Sequence, residues 1–160
     1  MACPPVLRPV LRPLGALDLD RAAALHAEAF VPLGERAWTR QDVAELLASP
    51  GVAGLLLEVD GGDAGLAICR VAADEAELLT IVVRPAYRRR GAARHLLTAA
   101  IDHARSAGAR ALFLEVATDN PGARALYELS GFCAIGNRPA YFRRGDRPAA
   151  DALVMRLGLD

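Results

Sequence analysis

"LLTIVVRPAYRRRGAARHLL", residues 78–97, joins an apolar run, a proline, three consecutive arginines and a glycine to the start of an apolar-periodic segment. From Leu78 to Val83 the run is apolar almost throughout, as in a central strand covered on both faces, and Pro85 ends it. Beyond Gly91, residues Ala93, Leu96, Leu97, Ala100, Ile101 and Ala104 recur at i, i+3, i+4, i+7, i+8 and i+11, which predicts an amphipathic helix up to Gly108. A strand, a short glycine-containing loop and a helix start together make an anion site. The first-turn N–H groups have no intrahelical partner there, and the helix dipole is positive. Gly91, Ala92 and Ala93 let backbone approach a ligand, while Arg88, Arg89, Arg90 and Arg94 offer charge-assisted hydrogen bonds to phosphate oxygens. A solvated arginine turn that only starts a helix is the competing reading, and one glycine does not decide between them.

Outward from this junction the chain divides into short elements. Residues 6–11, "VLRPVL", read as a strand interrupted by Pro9 and therefore an edge. Asp18 is placed to cap a helix over 19–30, and Thr39 with Asp42 has capping-box spacing for a second over 39–48, ended by Pro50-Gly51. Two apolar runs, 52–59 and 64–71, flank Asp60-Gly61-Gly62-Asp63 as a hairpin. "EAELLTIVV" (75–83) and "RALFLEVA" (110–117) are strands; Asn120-Pro121 opens a helix that closes near Gly131. The last strands are 132–136 and 150–159, separated by a polar, arginine-rich loop from Asn137 to Pro148. Hairpins early and strand-helix-strand crossovers late predict one mixed α/β sheet with helices on both faces and its parallel part in the middle.

Bulk properties narrow the function. The 160 residues suit a single domain, 1–160, with a sizeable core. Formal charge is zero, so nothing global draws the chain to nucleic acid or to an anionic membrane, and no aromatic-studded basic stripe surrounds Arg88–Arg90. Every one of the 19 basic residues is arginine. Cys3, Cys69 and Cys133 are odd in number and scattered, which favours reduced thiols over disulfides or a zinc site, and no metal is expected. No apolar run approaches the ~20 residues of a membrane span, and the first residues lack a signal-peptide pattern, so a cytoplasmic protein is expected.

Residues 78–97 resemble the acetyl-coenzyme A loop of the Gcn5-related N-acetyltransferases (GNAT): Arg or Gln, two variable residues, Gly, one variable residue, then Gly or Ala. Arg88, Gly91 and Ala93 fill those places. "LFLEVATDNPGARALYELSGF", residues 112–132, is similar to the strand, asparagine, helix, tyrosine and Gly-Phe of the same family's second half. The resemblance implies the acyl-CoA N-acyltransferase fold, with one central, largely antiparallel sheet of six to seven strands and about four helices. It further implies acetyl-CoA as cosubstrate, with backbone of Ile81, Val82 and Val83 facing its pantetheine arm and thioester. Arg89 to Arg94 would wrap its pyrophosphate, and Asn120 would lie nearby, where it also reads as a helix cap.

The implied reaction is acetyl transfer to an amine, which must be neutral to attack. An α-amine of pKa ~8 is nearer that state at neutral pH than a lysine of ~10.4, so a general base is expected. Glu115 is the first candidate: it alternates with Leu114 and Val116 on a strand flanking the cleft. Its spacing to Tyr127 resembles the base and acid of the family members that acetylate protein N-termini, with Tyr127 protonating the departing thiolate. Glu77 is the second candidate base, on a strand where it alternates with Leu79 and Ile81. Direct attack is preferred to a route through Cys133, and His26, His95 and His103 have no assigned role. The tail "AYFRRGDRPAADALVMRL" is similar to that of bacterial ribosomal-protein-alanine N-acetyltransferases, where Tyr141 would line the pocket of a protein N-terminus. Two other classes remain open: an acetyltransferase for a polyamine, aminoglycoside or metabolite, and a non-catalytic acetyl-CoA sensor. Glu35 and Asp42, expected to face Arg36 and Arg40, argue against an acidic polyamine mouth. Either a monomer or a homodimer is compatible with the sequence.

Overall fold

The computed structural model describes residues 8–160. Its strands are β1 Pro9–Pro13, β2 Val52–Val59, β3 Gly62–Ala72, β4 Glu75–Val83, β5 Ala111–Ala117, β6 Cys133–Arg144 and β7 Arg147–Gly158. The helices are α1 Leu19–Phe30, α2 Arg40–Ala48, α3 Ala92–Ser106 and α4 Pro121–Leu129. One seven-stranded sheet runs β1-β2-β3-β4-β5-β7-β6. Only the β4–β5 pair is parallel, so the sheet is mixed and largely antiparallel, as expected. Because β7 inserts between β5 and β6, the crossover through α4 does not create a second parallel pair.

Local chemistry explains the early elements. Thr39 caps α2 reciprocally: Asp42 N donates to Thr39 Oγ1 (3.1 Å) and Thr39 N to the Asp42 carboxylate (2.7 Å). Asp60 and Gly61 both have positive φ (50° and 82°), as a two-residue primed hairpin turn requires. The β1 strand is an edge, and Pro9 opens it rather than interrupting it; residues 6 and 7 lie outside the described residues. Asp18 precedes α1 but makes no side-chain cap. Its buried carboxylate accepts from Gly15 N (2.8 Å) and the Arg12 guanidinium (2.7 and 3.0 Å), which hold its pKa down at about 2.

The expected loop over 137–148 is the main correction. It is a hairpin, β6 running to Arg144 and β7 starting at Arg147. Almost all of β6 is exposed at the sheet edge, so its ladder places no demand for apolar residues, and the periodic signal is absent.

Each face of the sheet carries its own core. On one, Leu19, Ala22 and Leu25 of α1 and Val43 of α2 meet Leu56, Leu66, Ile68 and Val82. On the other, Leu96, Leu97 and Ala100 of α3 and Tyr127 of α4 meet Leu57, Ala67, Leu112, Leu114 and Met155. Gly65 sits where β4 and α3 close on β3: a Cβ there would lie 2.3 Å from the Val82 carbonyl and 3.1 Å from Leu96.

A bulge in β4 changes which residues serve which core. Ile68 pairs with Thr80 and Cys69 with Leu78, so Leu79 is an extra residue. Before it, Ala76 and Leu78 join the α3 side; after it, Ile81 and Val83 do, while Leu79 and Val82 pack toward α1 and α2. Glu77 therefore shares a face with Leu79 but not with Ile81, and the simple alternation expected along this strand does not hold.

Candidate active site

The sheet opens in its middle. The β4 and β5 strands pair only at Glu75–Ala111, Ala76–Leu112 and Glu77–Phe113. Beyond that point β4 stays with β3 and β5 with β7 along their full lengths, so the two halves part. A strand offers its backbone groups alternately to its two edges. Arg84 N bonds to Ala64 O of the β3 side (2.8 Å), and the Val82 carbonyl points the same way, toward Gly65. Ile81 and Val83 therefore direct their amide groups into the gap, where the Val83 carbonyl accepts from Arg88 Nε at 3.0 Å. Of the three residues expected to face a pantetheine arm, the backbone of Val82 is turned to β3.

The anion loop lies at the open end of this gap. Gly91 precedes α3 with φ 80°, reached at no steric cost by glycine, and Arg89 also has positive φ, 58°. No side chain caps the helix, so the N–H groups of Ala92, Ala93 and Arg94 are left for an incoming acceptor. Arg88, Arg89, Arg90 and Arg94 are exposed, and none forms an ion pair with a described residue. Asn120 caps α4, its Oδ1 accepting from Ala123 N at 3.2 Å, at the end of the strand that forms the gap's other wall. These parts fit a diphosphate and an extended amide-bearing arm: free N–H groups, unneutralised guanidinium charge and an unpaired strand edge.

The α1/α2 face of the gap holds a hollow of about 220 Å³ lined by Trp38, Leu46, Glu77, Leu78, Leu79, Glu115, Tyr141 and Phe142. Both candidate bases are thus brought together. Phe113 and Glu115 alternate with Leu112, Leu114 and Val116, which lie in the opposite core. Glu77 is bridged by Arg70 (2.7 Å) and Glu115 by Arg138 (3.1 Å). The Tyr141 hydroxyl is turned to Glu115, and hydrogen bonding to that carboxylate, with partial burial, raises its pKa. Tyr127 is on the other side of the sheet, buried against Phe132 in the α3/α4 core, and burial pushes its phenol up to about 12.

Arg138 and Arg144 carry no mark in the sequence: both fall on β6, within the segment Asn137 to Pro148 expected as a loop. Trp38 reaches the hollow because His26 holds it: His26 Nδ1 accepts from Trp38 N (3.0 Å), and the rings stack with centroids 4.2 Å apart. Burial lowers the pKa of His26 to about 4, which keeps it a neutral acceptor. Arg144 is buried between Glu35 (Nε to carboxylate 3.0 Å) and Asp119 (3.1 and 3.2 Å), tying β6 to the segment before α2 and to the loop before α4. The Glu35 pKa is raised, because its burial outweighs the Arg144 charge. Glu35 therefore faces Arg144 rather than Arg36; Asp42 does pair with Arg36 (2.9 Å), and Arg40 with Asp20 (3.2 Å). The partners of Arg138 and Arg144 lie far along the chain, so spacing carried no signal for them. Cys133 is exposed, away from the hollow's lining, and the buried Cys69 has its thiol pKa pushed up to about 11.

A split sheet with an uncapped, arginine-rich turn after one strand and a carboxylate pocket beside it fits an acyl-CoA-dependent transferase. The pattern describing the acetyltransferase (GNAT) family matches residues 19–132, and the chain belongs to that family. Among curated proteins it is 39% identical over 150 residues to the N-alpha-acetyltransferase RimI of Mycobacterium tuberculosis, covering 89% of this chain and 90% of that one. It is 41% identical over 101 residues to the ribosomal protein bS18-alanine N-acetyltransferase of Escherichia coli K12, covering 63% and 68%. An uncharacterized Mycobacterium leprae protein is 37% identical over 151 residues, and there the chain spans only 40% of the relative's length. The crystal structure of the ribosomal-protein-S18-alanine N-acetyltransferase from Escherichia coli superposes with TM-score 0.86 at 31% identity, covering 96% of this chain and 95% of that one.

Proposed function

We propose that this chain moves the acetyl group of acetyl-CoA to the N-terminal α-amine of a protein, a ribosomal protein foremost, by direct attack within a ternary complex. The observation that carries the reading is the parting of β4 from β5 beyond Glu77 and Phe113, with Glu115 on one face of the sheet and Tyr127 on the other. A thioester lying in that gap exposes its carbonyl to an amine on the Glu115 side, and its sulfur leaves toward Tyr127. The relatives whose names specify ribosomal-protein alanine support the choice of acceptor.

Acetyl-CoA supplies the activated acyl group; the rest of the work falls to the chain. Ile81 and Val83 bind the arm through backbone, with Val82 behind them, and Arg88, Arg89, Arg90, Gly91, Ala92, Ala93 and Arg94 hold the phosphates. Glu115 takes the ammonium proton, so that the amine attacks as a free base. With its pKa at about 12, Tyr127 stays protonated across the physiological range. Full proton transfer to a thiolate of ~8.5 is unfavourable from so high a value, so Tyr127 first donates a hydrogen bond to the charge developing on sulfur. The C–S bond then breaks as the nitrogen sheds its second proton, which reaches the sulfur through the phenol, and coenzyme A leaves as the thiol. The hollow presents two carboxylates, Glu77 and Glu115, each with one arginine partner, which suits a single ammonium better than the several of a polyamine. Among the described residues no helix is long and apolar enough to cross a membrane.

A thiol-release assay with alanine-initiated peptides and small amines in parallel tests this. Tyr127→Phe is expected to lower kcat about 100-fold with acetyl-CoA affinity held within a few-fold, and Glu115→Gln to lower kcat/KM by ~10²–10⁴. Equal turnover of Tyr127→Phe removes the acid; an active Glu115→Gln returns the base to Glu77. A preference for small amines over every peptide overturns the acceptor.

A further inference from the structure

Glu115 is already engaged by the protein itself. Arg138 Nε lies 3.1 Å from Glu115 Oε1, and its guanidinium stands over the Tyr141 ring, 5.5 Å from the centroid. The partners differ in burial: the Glu115 side chain is 18% exposed and that of Arg138 58%. The carboxylate is thus fixed in the pocket wall, while the guanidinium stands at the mouth in water. A pair of this kind is held weakly and exchanges readily for another cation.

Backbone geometry keeps Arg138 in place. It is the last residue of β6 in register, opposite Ala152, before three residues, Pro139 to Tyr141, face the single residue Asp151. Ala140 there has φ 50° and donates its N–H to Asp151 Oδ1 at 2.8 Å. This wide bulge turns Tyr141 back against Glu115 and beneath the guanidinium. The other charged groups at the hollow are accounted for: Glu77 from β4 is taken by Arg70 from β3, and Trp38, Leu46 and Phe142 are uncharged. Arg138 is the cation on Glu115 among the described residues.

Resting on the reading of Glu115 as the group that receives the acceptor, we infer that Arg138 is a resident counter-ion which the incoming α-ammonium replaces. In the free protein it occupies the acceptor's place on the carboxylate; binding of a primary ammonium turns it out into solvent. An uncharged nucleophile cannot take the guanidinium's place on the carboxylate, so Glu115 selects for cationic acceptors and Arg138 sets how tightly one must bind to replace it. Arg138 is in this sense a specificity-determining residue, and it never touches the acetyl group.

Steady-state kinetics with an alanine-initiated peptide tests the exchange. Arg138→Gln is expected to lower the peptide KM about three- to fivefold, with the effect on KM and not on kcat, while Arg138→Lys keeps the original KM. Fivefold corresponds to about 1 kcal/mol, the upper end for an exposed ion pair. In a Glu115→Gln background the same replacement should leave KM where it was, completing a double-mutant cycle with a clear coupling. A KM that is unchanged or raised in Arg138→Gln, or one that falls equally without the Glu115 charge, overturns the inference. Full turnover in Glu115→Gln alone would instead defeat the assignment of the base, a result read in kcat and separable from the KM shift.

Discussion

The two long hairpins of the sheet are built on opposite terms. In β2–β3, Leu56, Leu57, Leu66 and Ile68 are almost completely buried, and the turn is a tight Asp60-Gly61 pair. In β6–β7, nearly every β6 residue is exposed, the register slips at three places, and the hairpin is pinned by Arg144 and by Asp151. The first hairpin is held by burial on both faces, which resists local reshaping. The second is held by a few directional contacts, so its side chains are free to form a pocket wall.

That contrast can be broken most severely from the buried side. Leu66→Ala removes a core side chain and should destabilise the whole fold by roughly 2–5 kcal/mol in chemical denaturation; a smaller cost would mean that the β2–β3 half is less tightly packed than its burial indicates. Acid separates the halves next. The folded pKa of His26, about 4, lies below its unfolded value, so the unfolded chain binds the proton more readily. Its contribution is present above pH ~6.5 and is lost as pH falls toward 4, a swing on the order of 3 kcal/mol that should shrink in His26→Gln. Glu35 at the β6–β7 hairpin has the opposite sign: its raised pKa contributes stability below its unfolded value, and that is lost as pH rises. Stability measured against pH, with hydrogen exchange resolving the hairpins, should show the α1 side weakening first on acidification.

Arg144→Ala comes next. It strips two carboxylates of their partner and should cost about 2 kcal/mol, with exchange protection lost in β6–β7 and retained in β2–β3. Uniform loss across the sheet would erase the distinction between the hairpins. The smallest effect belongs to Asp151→Asn, about 1 kcal/mol, concentrated on the bulge at Ala140 and read as faster hydrogen exchange there.

The same contrast explains what the amino-acid sequence revealed. Residues 52–71 declare their hairpin because burial forces apolar runs on either side of a turn, and Leu78 to Val83 declare a central strand for the same reason. The placement of Glu115 on a strand and of Tyr127 on the following helix was legible through the strand alternation and the family-like second half. Arg138 was not, because an exposed edge strand imposes no pattern and its partner lies across the sheet on another strand. Nor did anything local mark the bulge at Leu79, which carries neither glycine nor proline and is defined only by pairing with β3.

That single surplus residue has a further consequence. It works as a phase inverter, letting one continuous strand answer to two hydrophobic layers in turn: even positions serve the α3 layer upstream, and odd positions serve it downstream. Excising one residue between 78 and 80 would force the strand to keep one parity throughout. Either Ala76 and Leu78 or Ile81 and Val83 would then be turned away from the layer they fill, and the amides now aimed into the cleft would swing back onto β3.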